Sequence, residues 1–318
     1  MIVRGHGCSS GFWGVTLCLL LGCTVAPPPP PVPAPRPLSV QVESLRLQGD
    51  RWMIRGDLAR AGEAYEEARR LAESLDDMKG LVGALNDLGA VAFGRGAGRE
   101  AIQLHGRAVS LAQQFGETDL LIAGLASLGA AEYQEGRTEE AGRRYQQALD
   151  LLQRAADQRT EAMLRNNLGL IRQATGDVGQ AEQLFRQAMA LNQAAGHPAA
   201  EASNHVNLGI LAEERREYEV AEREFERALE LDKTAERRAE IAADLLRLGR
   251  VAERRGFPDR GLAYSERAYR SYLAQGNQAQ AIAAITFALD CARRLGLVEE
   301  VARLEKELIR LTGSRSGR

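Results

Sequence analysis

The chain has 318 residues, of which 45% are hydrophobic, 26% are charged and 5% are aromatic, and its net charge is −2. This length allows two average domains or one long repeat array, and the low aromatic content favours helices over sheets. A nearly neutral chain gives no electrostatic reason to expect a nucleic-acid partner.

The N-terminal residues 1–22 have the composition of an export signal. Arg4 precedes an uncharged stretch from Cys8 to Gly22, which ends in the apolar sequence GVTLCLLLG. This apolar sequence is too short for a membrane-spanning helix, which needs about 20 apolar residues. A basic start, a short apolar core and a small residue before a cleavage point are typical of a signal peptide.

The signal ends in Leu20-Leu21-Gly22-Cys23. This sequence resembles the lipobox of bacterial lipoproteins, which implies that the Cys23 thiol is acylated and that Cys23 becomes the new N-terminus. The same resemblance implies the outer membrane, facing the periplasm, since Thr24 stands where Asp would favour inner-membrane retention. An ordinary signal peptide and a buried apolar helix are the alternatives.

A proline-rich segment follows the lipidation site. Eight of the ten prolines lie between residues 26 and 37, in the sequence APPPPPVPAPRP. Such a sequence favours polyproline II at about 3.1 Å per residue, so it would hold a folded domain roughly 35 Å from a membrane. We therefore expect residues 23–40 to be a lipidated linker, with a ligand for a proline-binding domain as the alternative.

The cysteines agree with export. Cys8 and Cys18 would leave with the signal and Cys23 would carry the lipid, which leaves Cys291 alone and excludes an intrachain disulfide in the mature chain. Cys291 falls in the apolar register of a predicted helix, so we expect a buried thiol.

The remainder of the chain repeats every forty residues, which is the strongest signal in the sequence. Five registers recur: glycine at 49, 89, 129, 169, 209 and 249; glycine at 56, 96, 136, 176, 256 and 296, with Arg216 in the gap; alanine at 61, 101, 141, 181 and 221; alanine at 68, 108, 148, 188, 228 and 268; and an aromatic or histidine at 65, 105, 145, 185 and 225. Seven copies align without a gap, at 41–80, 81–120, 121–160, 161–200, 201–240, 241–280 and 281–312, and residues 313–318 form a predicted disordered tail.

Each copy is predicted to contain two helices. Apolar residues recur at three and four spacing on both sides of Gly176, and the Gly176-Asp177 pair indicates a turn followed by a helix start. Gly116, Gly196 and Gly276 stand where the second helices should end. Pro198 and Pro258 lie at inferred helix starts, where a missing N–H costs little.

The combined pattern of Leu-Gly, then Gly, then A-x-x-x-[FY]-x-x-A resembles the tetratricopeptide repeat. The resemblance implies an all-α, right-handed superhelical solenoid of about seven 40-residue helix-turn-helix repeats, most similar to longer-period members such as those of kinesin light chains. The terminal copies depart from the pattern, with Gln48 before Gly49, Ala288-Leu289 in place of Leu-Gly, and Glu305 in the aromatic register. Terminal repeats diverge because one of their faces meets water.

Stacked helical pairs offer an extended concave surface lined by first helices, and we expect a protein or peptide partner to bind there. Asparagine suits this role because its amide both donates and accepts, so it can pair with any peptide backbone. Asn167 and Asn207 share a register in adjacent copies, and asparagines of resembling families contact peptide. The predicted concave site residues are Asn86, Tyr133, Asn166, Asn167, Gln173, Asn207, Arg247 and Arg250.

No catalytic, metal or cofactor motif is found in the sequence. His105 fills the aromatic register, His205 falls on a helix and His197 in a loop, and no Cys–His spacing suits zinc. The glycines between 94 and 98 lack the Lys-Ser/Thr end of a phosphate loop. We therefore expect no enzyme activity, no cofactor and no small-molecule substrate.

These features together predict a membrane-anchored scaffold or adaptor of the bacterial cell envelope, serving pilus or secretion, peptidoglycan-enzyme or envelope-assembly complexes. A cytoplasmic repeat regulator that senses a peptide or protein is the alternative, and an enzyme is a third.

Overall fold

A computed structural model describes residues 38–152 and 157–313, and within these ranges it contains fourteen α-helices and no strand. The helices are α1 (Leu38–Ile54), α2 (Leu58–Ser74), α3 (Met78–Gly94), α4 (Gly98–Phe115), α5 (Thr118–Gln134), α6 (Thr138–Leu152), α7 (Gln158–Ala174), α8 (Val178–Ala194), α9 (Pro198–Glu214), α10 (Tyr218–Thr234), α11 (Arg238–Arg254), α12 (Pro258–Ala274), α13 (Gln278–Arg294) and α14 (Val298–Gly313). The all-α prediction is confirmed. The predictions for the signal, for Cys23 and for most of the linker and tail lie outside the described residues. The predicted linker, 23–40, and the predicted tail, 313–318, were drawn too long, because residues 38–40 begin α1 and residue 313 ends α14.

Consecutive helices pack as seven hairpins, which we number repeat 1 (α1 and α2) to repeat 7 (α13 and α14). The turn inside a hairpin needs a residue with positive φ, and Gly176 supplies it with φ 85°. Asp177 then caps α8 by accepting a hydrogen bond from the Gln180 backbone N–H at 3.1 Å. Repeat 5 has Arg216 at the equivalent position, with φ 62°.

The recurring small residues let the two helices of a hairpin approach closely. Both alanine registers are fully buried. The Phe185 ring lies over Gly169 of its own repeat, where an added Cβ would meet the ring at 2.6 Å. Phe185 also packs against Leu208 and Leu211 of repeat 5, so one ring joins the hairpin to its neighbour.

The first helix of the array presents a polar outer face. Gln48 and Arg51 of α1 are exposed, whereas their equivalents in repeat 4, Leu168 and Ile171, are buried against the preceding repeat. Polar residues at these two positions suit a helix whose outer face is hydrated. None of the helices in the described ranges combines the length and apolar character needed to cross a bilayer.

Candidate functional site

The first helices of neighbouring repeats lie side by side, and α3 contacts both α1 and α5 directly. We call the exposed sides of α1, α3, α5, α7, α9, α11 and α13 the first-helix surface. Its side chains are joined across repeats by pairs forty-one residues apart: Arg46 with Asp87 at 2.6 Å, Asn166 with Asn207 at 2.8 Å, Gln173 with Glu214 at 2.7 Å, Glu213 with Arg254 at 3.1 Å, and Glu253 with Arg294. These links hold the groups of this surface in fixed positions before any partner arrives.

Four asparagines at the junction of repeats 4 and 5 form a connected amide cluster. The Asn166 side-chain oxygen accepts hydrogen bonds from the amides of Asn204 at 2.9 Å and Asn207 at 2.8 Å. Asn192 donates to the Asn204 oxygen at 2.8 Å. Asn204 is 1% exposed and Asn192 is 5% exposed, so both amides are almost entirely removed from water. Within the described ranges, the side-chain oxygens of Asn192 and Asn207 accept no hydrogen bond.

Sequence reasoning placed Asn166, Asn167 and Asn207 on this surface but missed Asn192 and Asn204. Asn167 and Asn207, which share a register, do not bond to each other. Each contacts Asn166, and for Asn167 the separation is 3.4 Å. The two missed residues carry a visible signal, since repeat 3 and repeat 4 place leucines at the equivalent positions.

Two adjoining pockets open on the first-helix surface, one on each side of Met163. The first has a volume of about 460 Å³, lies between α5 and α7, and is lined mainly by apolar groups such as Ile122, Ala126 and Leu152. We call it the apolar pocket. Asp119 and Asp157 also border it.

The second pocket has a volume of about 530 Å³ and lies between α7 and α9. Its lining includes Asn192, Asn204 and Asn166 from the amide cluster, and we call it the amide pocket. Thr160 and Met163 line both pockets, so the two form one continuous depression over repeats 3 to 5. Clefts that combine apolar walls with a few fixed polar groups are the usual form of a binding site.

The remaining predicted residues lie apart from these pockets. Asn86 is hydrogen-bonded to His105 at 2.7 Å, and burial lowers the pKa of His105 to about 4, so the ring is neutral and its Nδ1–H donates to the Asn86 oxygen. Gln173 donates to Glu214. Tyr133 is 39% exposed and is available to a partner.

Arg247, Arg250 and Arg254, three of the four arginines of α11, do not form a patch of unpaired positive charge. Arg247 donates to Asp244 at 2.8 Å and Arg254 pairs with Glu213 at 3.1 Å, so two of the three guanidinium groups are held by carboxyl groups of the chain itself. Arg250 is exposed, and it makes no ion pair within residues 38–152 and 157–313. In the same part of the chain, no group of three or more His, Cys, Asp or Glu side chains is arranged to hold a metal ion.

Comparison with known proteins agrees with this architecture. The family model of the tetratricopeptide repeat matches residues 80–154 and 159–234. Among solved structures, BtubC (BKLC) from P. vanneervenii is 24% identical with a TM-score of 0.59, and the alignment covers 75% of this chain and 92% of BtubC. A Rap protein complexed with Competence and Sporulation Factor is 13% identical with a TM-score of 0.60, over 86% and 75% of the two chains. PilF of Pseudomonas aeruginosa is 19% identical with a TM-score of 0.56, over 74% and 93%. No curated protein matches the sequence.

Proposed function

Because this chain is a tetratricopeptide-repeat protein, we propose that it is a lipid-anchored adaptor of the bacterial cell envelope whose first-helix surface binds a segment of a partner protein. Tetratricopeptide repeats typically serve as protein-interaction modules rather than as enzymes, which supports the binding role. A Rap protein of similar fold was solved in a complex with Competence and Sporulation Factor, which also supports a bound partner.

The observation that carries the binding role is the pair of pockets on either side of Met163. Met163 is 44% exposed although it is a large apolar side chain, and exposed apolar groups beside pockets are typical of interaction sites. The unpaired side-chain oxygens of Asn192 and Asn207 lie in the same region and can accept from backbone N–H groups.

The binding role is tested by photo-crosslinking in intact cells. A photoreactive phenylalanine at position 163 should form covalent adducts with a discrete partner. The same residue at position 190 is the control, since Ala190 is exposed on α8 and lies outside both pockets. Adducts at neither position, or the same adducts at both, would remove the first-helix surface as the binding site.

The anchoring role rests on the Leu20-Leu21-Gly22-Cys23 sequence and on the proline-rich segment after it. The Cys23→Ala variant should move from the membrane fraction to the soluble fraction and should lose the mass of the attached lipid. A variant that fractionates as the wild type does would favour the cytoplasmic regulator instead. The Cys18→Ala variant is a matched control, because Cys18 lies inside the predicted signal.

A further inference from the structure

The apolar pocket and the amide pocket are the same pocket repeated forty residues later with different chemistry. Leu152 lines the first and Asn192 the second, at equivalent positions of consecutive repeats. Leu152 lies at the end of α6 and Asn192 lies in the last turn of α8. Each is buried together with a residue of the helix that follows: Leu152 with Leu164 of α7, and Asn192 with Asn204 of α9. The described residues of the two pockets therefore occupy equivalent positions forty residues apart, and their side chains differ in chemistry.

We infer that the partner segment is an extended chain that places a large apolar side chain in the apolar pocket and an uncharged amide or hydroxyl side chain in the amide pocket, with Lys or Arg beside the apolar residue. This inference rests on the proposed function and adds the partner's chemistry to it. Three features of the surface carry it: the composition of each pocket, the spacing between the pockets, and the charge beside the apolar pocket.

The composition of the amide pocket excludes two classes of side chain. An apolar side chain would bury the Asn192 oxygen without a donor, which costs free energy. A charged side chain would lose its hydration in this pocket, and the neutral amide cluster offers no opposite charge in exchange. Arg159 lines the pocket, but it interacts with the neighbouring Asp157 carboxylate. Arg237, which donates to the carbonyl oxygen of the lining residue Ala199, is paired with Asp232 and Glu240, so neither arginine offers an unpaired positive charge to an anion. A Gln, Asn, Ser or Thr side chain can hydrogen-bond to the amide cluster both as a donor and as an acceptor.

The spacing between the pockets limits the separation of the two residues in the partner. Neighbouring packed helices lie about 8–10 Å apart, and an extended chain rises about 3.3 Å per residue with alternate side chains on one face. Two side chains that enter adjoining pockets on one side of the partner are therefore about two or four residues apart.

Charge complementarity selects the residue beside the apolar one. Asp119 and Asp157 both border the apolar pocket, and Asp119 makes no ion pair within the described residues. Hydrogen bonds from the Thr160 hydroxyl and backbone N–H hold the pKa of Asp157 below its ordinary value, so this carboxylate stays ionised. Arg159 offsets part of the Asp157 charge, but with Asp119 the net charge beside the apolar pocket is still negative, which favours a cationic neighbour in the partner.

The test is selection of a random linear dodecapeptide library, displayed on phage, against the purified full-length chain. We expect enrichment of Leu, Met or Phe preceded or followed by Lys or Arg, with Asn, Gln, Ser or Thr two or four residues away. Recovery of no binding peptides would contradict the proposed function itself. Recovery of peptides that lack the amide or hydroxyl preference would overturn this inference and leave the proposed function standing.

The chain supplies its own control variant for the amide pocket. Asn192→Leu with Asn204→Leu copies the Leu152–Leu164 pair, which the same framework already accommodates. Selection on this double variant should yield two apolar residues and no amide preference, and a wild-type-selected peptide should bind about tenfold more weakly, the loss of one or two hydrogen bonds. Asn192→Ala, which enlarges the pocket, should also lose the preference. An amide preference retained by both variants would overturn the inference.

Asp119→Asn tests the charge requirement by itself. This variant should lose the Lys or Arg preference and keep the apolar and amide preferences. If Lys and Arg are enriched to the same degree as on the wild type, Asp119 does not select the partner's charge.

Discussion

The carboxyl groups of Asp232 and Asp244 face each other at the junction of repeats 5 and 6, in the positions that Asn192 and Asn204 occupy one repeat earlier, and one buried oxygen of each has no hydrogen-bond partner within the described residues. Both side chains are buried, and two carboxyl groups in contact cannot both be ionised without repulsion. The junction pair therefore changes from leucine to asparagine to aspartic acid over three consecutive junctions, and the raised pKa of Asp244, about 7, keeps a proton on the third pair in mildly acidic solution.

The first prediction is that this pair makes the stability of the chain fall as pH rises from about 4 to about 7. Burial raises the pKa of both carboxyls, that of Asp244 to about 7 from an ordinary value of 3.8. Between these values the folded chain retains a proton that the unfolded chain has released, so unfolding becomes easier as pH rises, and the loss is complete above about 7. Urea unfolding from pH 4 to pH 8 measures the change.

The surroundings of the pair moderate this response without reversing it. Arg247 contacts Asp244 at 2.8 Å and Arg237 lies 3.4 Å from Asp232, and both favour the ionised forms. Glu240, which faces the pair from α11, opposes ionisation of Asp232. The control is Asp232→Asn with Asp244→Asn, which copies the neighbouring junction and should remove this part of the pH dependence. A double variant with the wild-type profile would mean that the pair does not hold the proton.

The second prediction concerns His105, whose effect has the opposite sign. Burial lowers the pKa of His105 to about 4 from 6.5. Between these two pH values the unfolded chain binds a proton at this histidine and the folded chain does not. Its contribution to stability is therefore full above about pH 6.5 and is lost as pH falls towards 4. His105→Phe places in repeat 2 the residue that repeats 4 and 5 carry, and should reduce the loss of stability in acid. The measurement is the urea midpoint of the wild type and of His105→Phe at pH 5 and at pH 7.5. If the ratio of the two midpoints is the same in both proteins, the prediction is contradicted.

The repeat architecture could be predicted from the sequence because closely packed helices require residues of a particular size at their contacts, and these glycine, alanine and aromatic residues recur at a fixed interval. Gly169 and Phe185 must be a small and a large residue for their helices to touch, and this requirement recurs at a fixed step. The pairing of Asn192 with Asn204 could not be predicted in the same way, because it depends on how the end of a second helix crosses the next first helix. Asn86 and Asn166 share a register, yet Asn86 bonds to His105, since repeat 2 alone has an imidazole there.

The third prediction tests the close approach of helix and ring. Gly169→Ala should lower the free energy of unfolding by about 1–3 kcal/mol, because the new Cβ would meet the buried Phe185 ring at 2.6 Å. Gly249→Ala is the matched control. Ser265 replaces the aromatic in repeat 6, and the nearest atom to the new Cβ is the Gly261 carbonyl oxygen at 3.2 Å. The gain of about 1 kcal/mol in helix propensity should make this second change nearly neutral. If urea unfolding shows the same loss of unfolding free energy for Gly169→Ala and Gly249→Ala, contact with the Phe185 ring is not the cause of the destabilisation.

The fourth prediction concerns the hairpin turn of repeat 5, where Arg216 adopts φ 62° while the equivalent residues of the other described hairpins are glycines with φ from 70° to 86°. A side chain in this left-handed region costs about 1–2 kcal/mol, and glycine avoids that cost at an entropic penalty of about 0.5–1 kcal/mol. Arg216→Gly should therefore raise the Tm by about 1–3 °C. Arg215→Gly is the control: Arg215 has φ −80° and donates to Glu182 at 2.6 Å, so its loss should lower the Tm. A decrease in both variants would mean that Arg216 is held by interactions that outweigh the backbone strain.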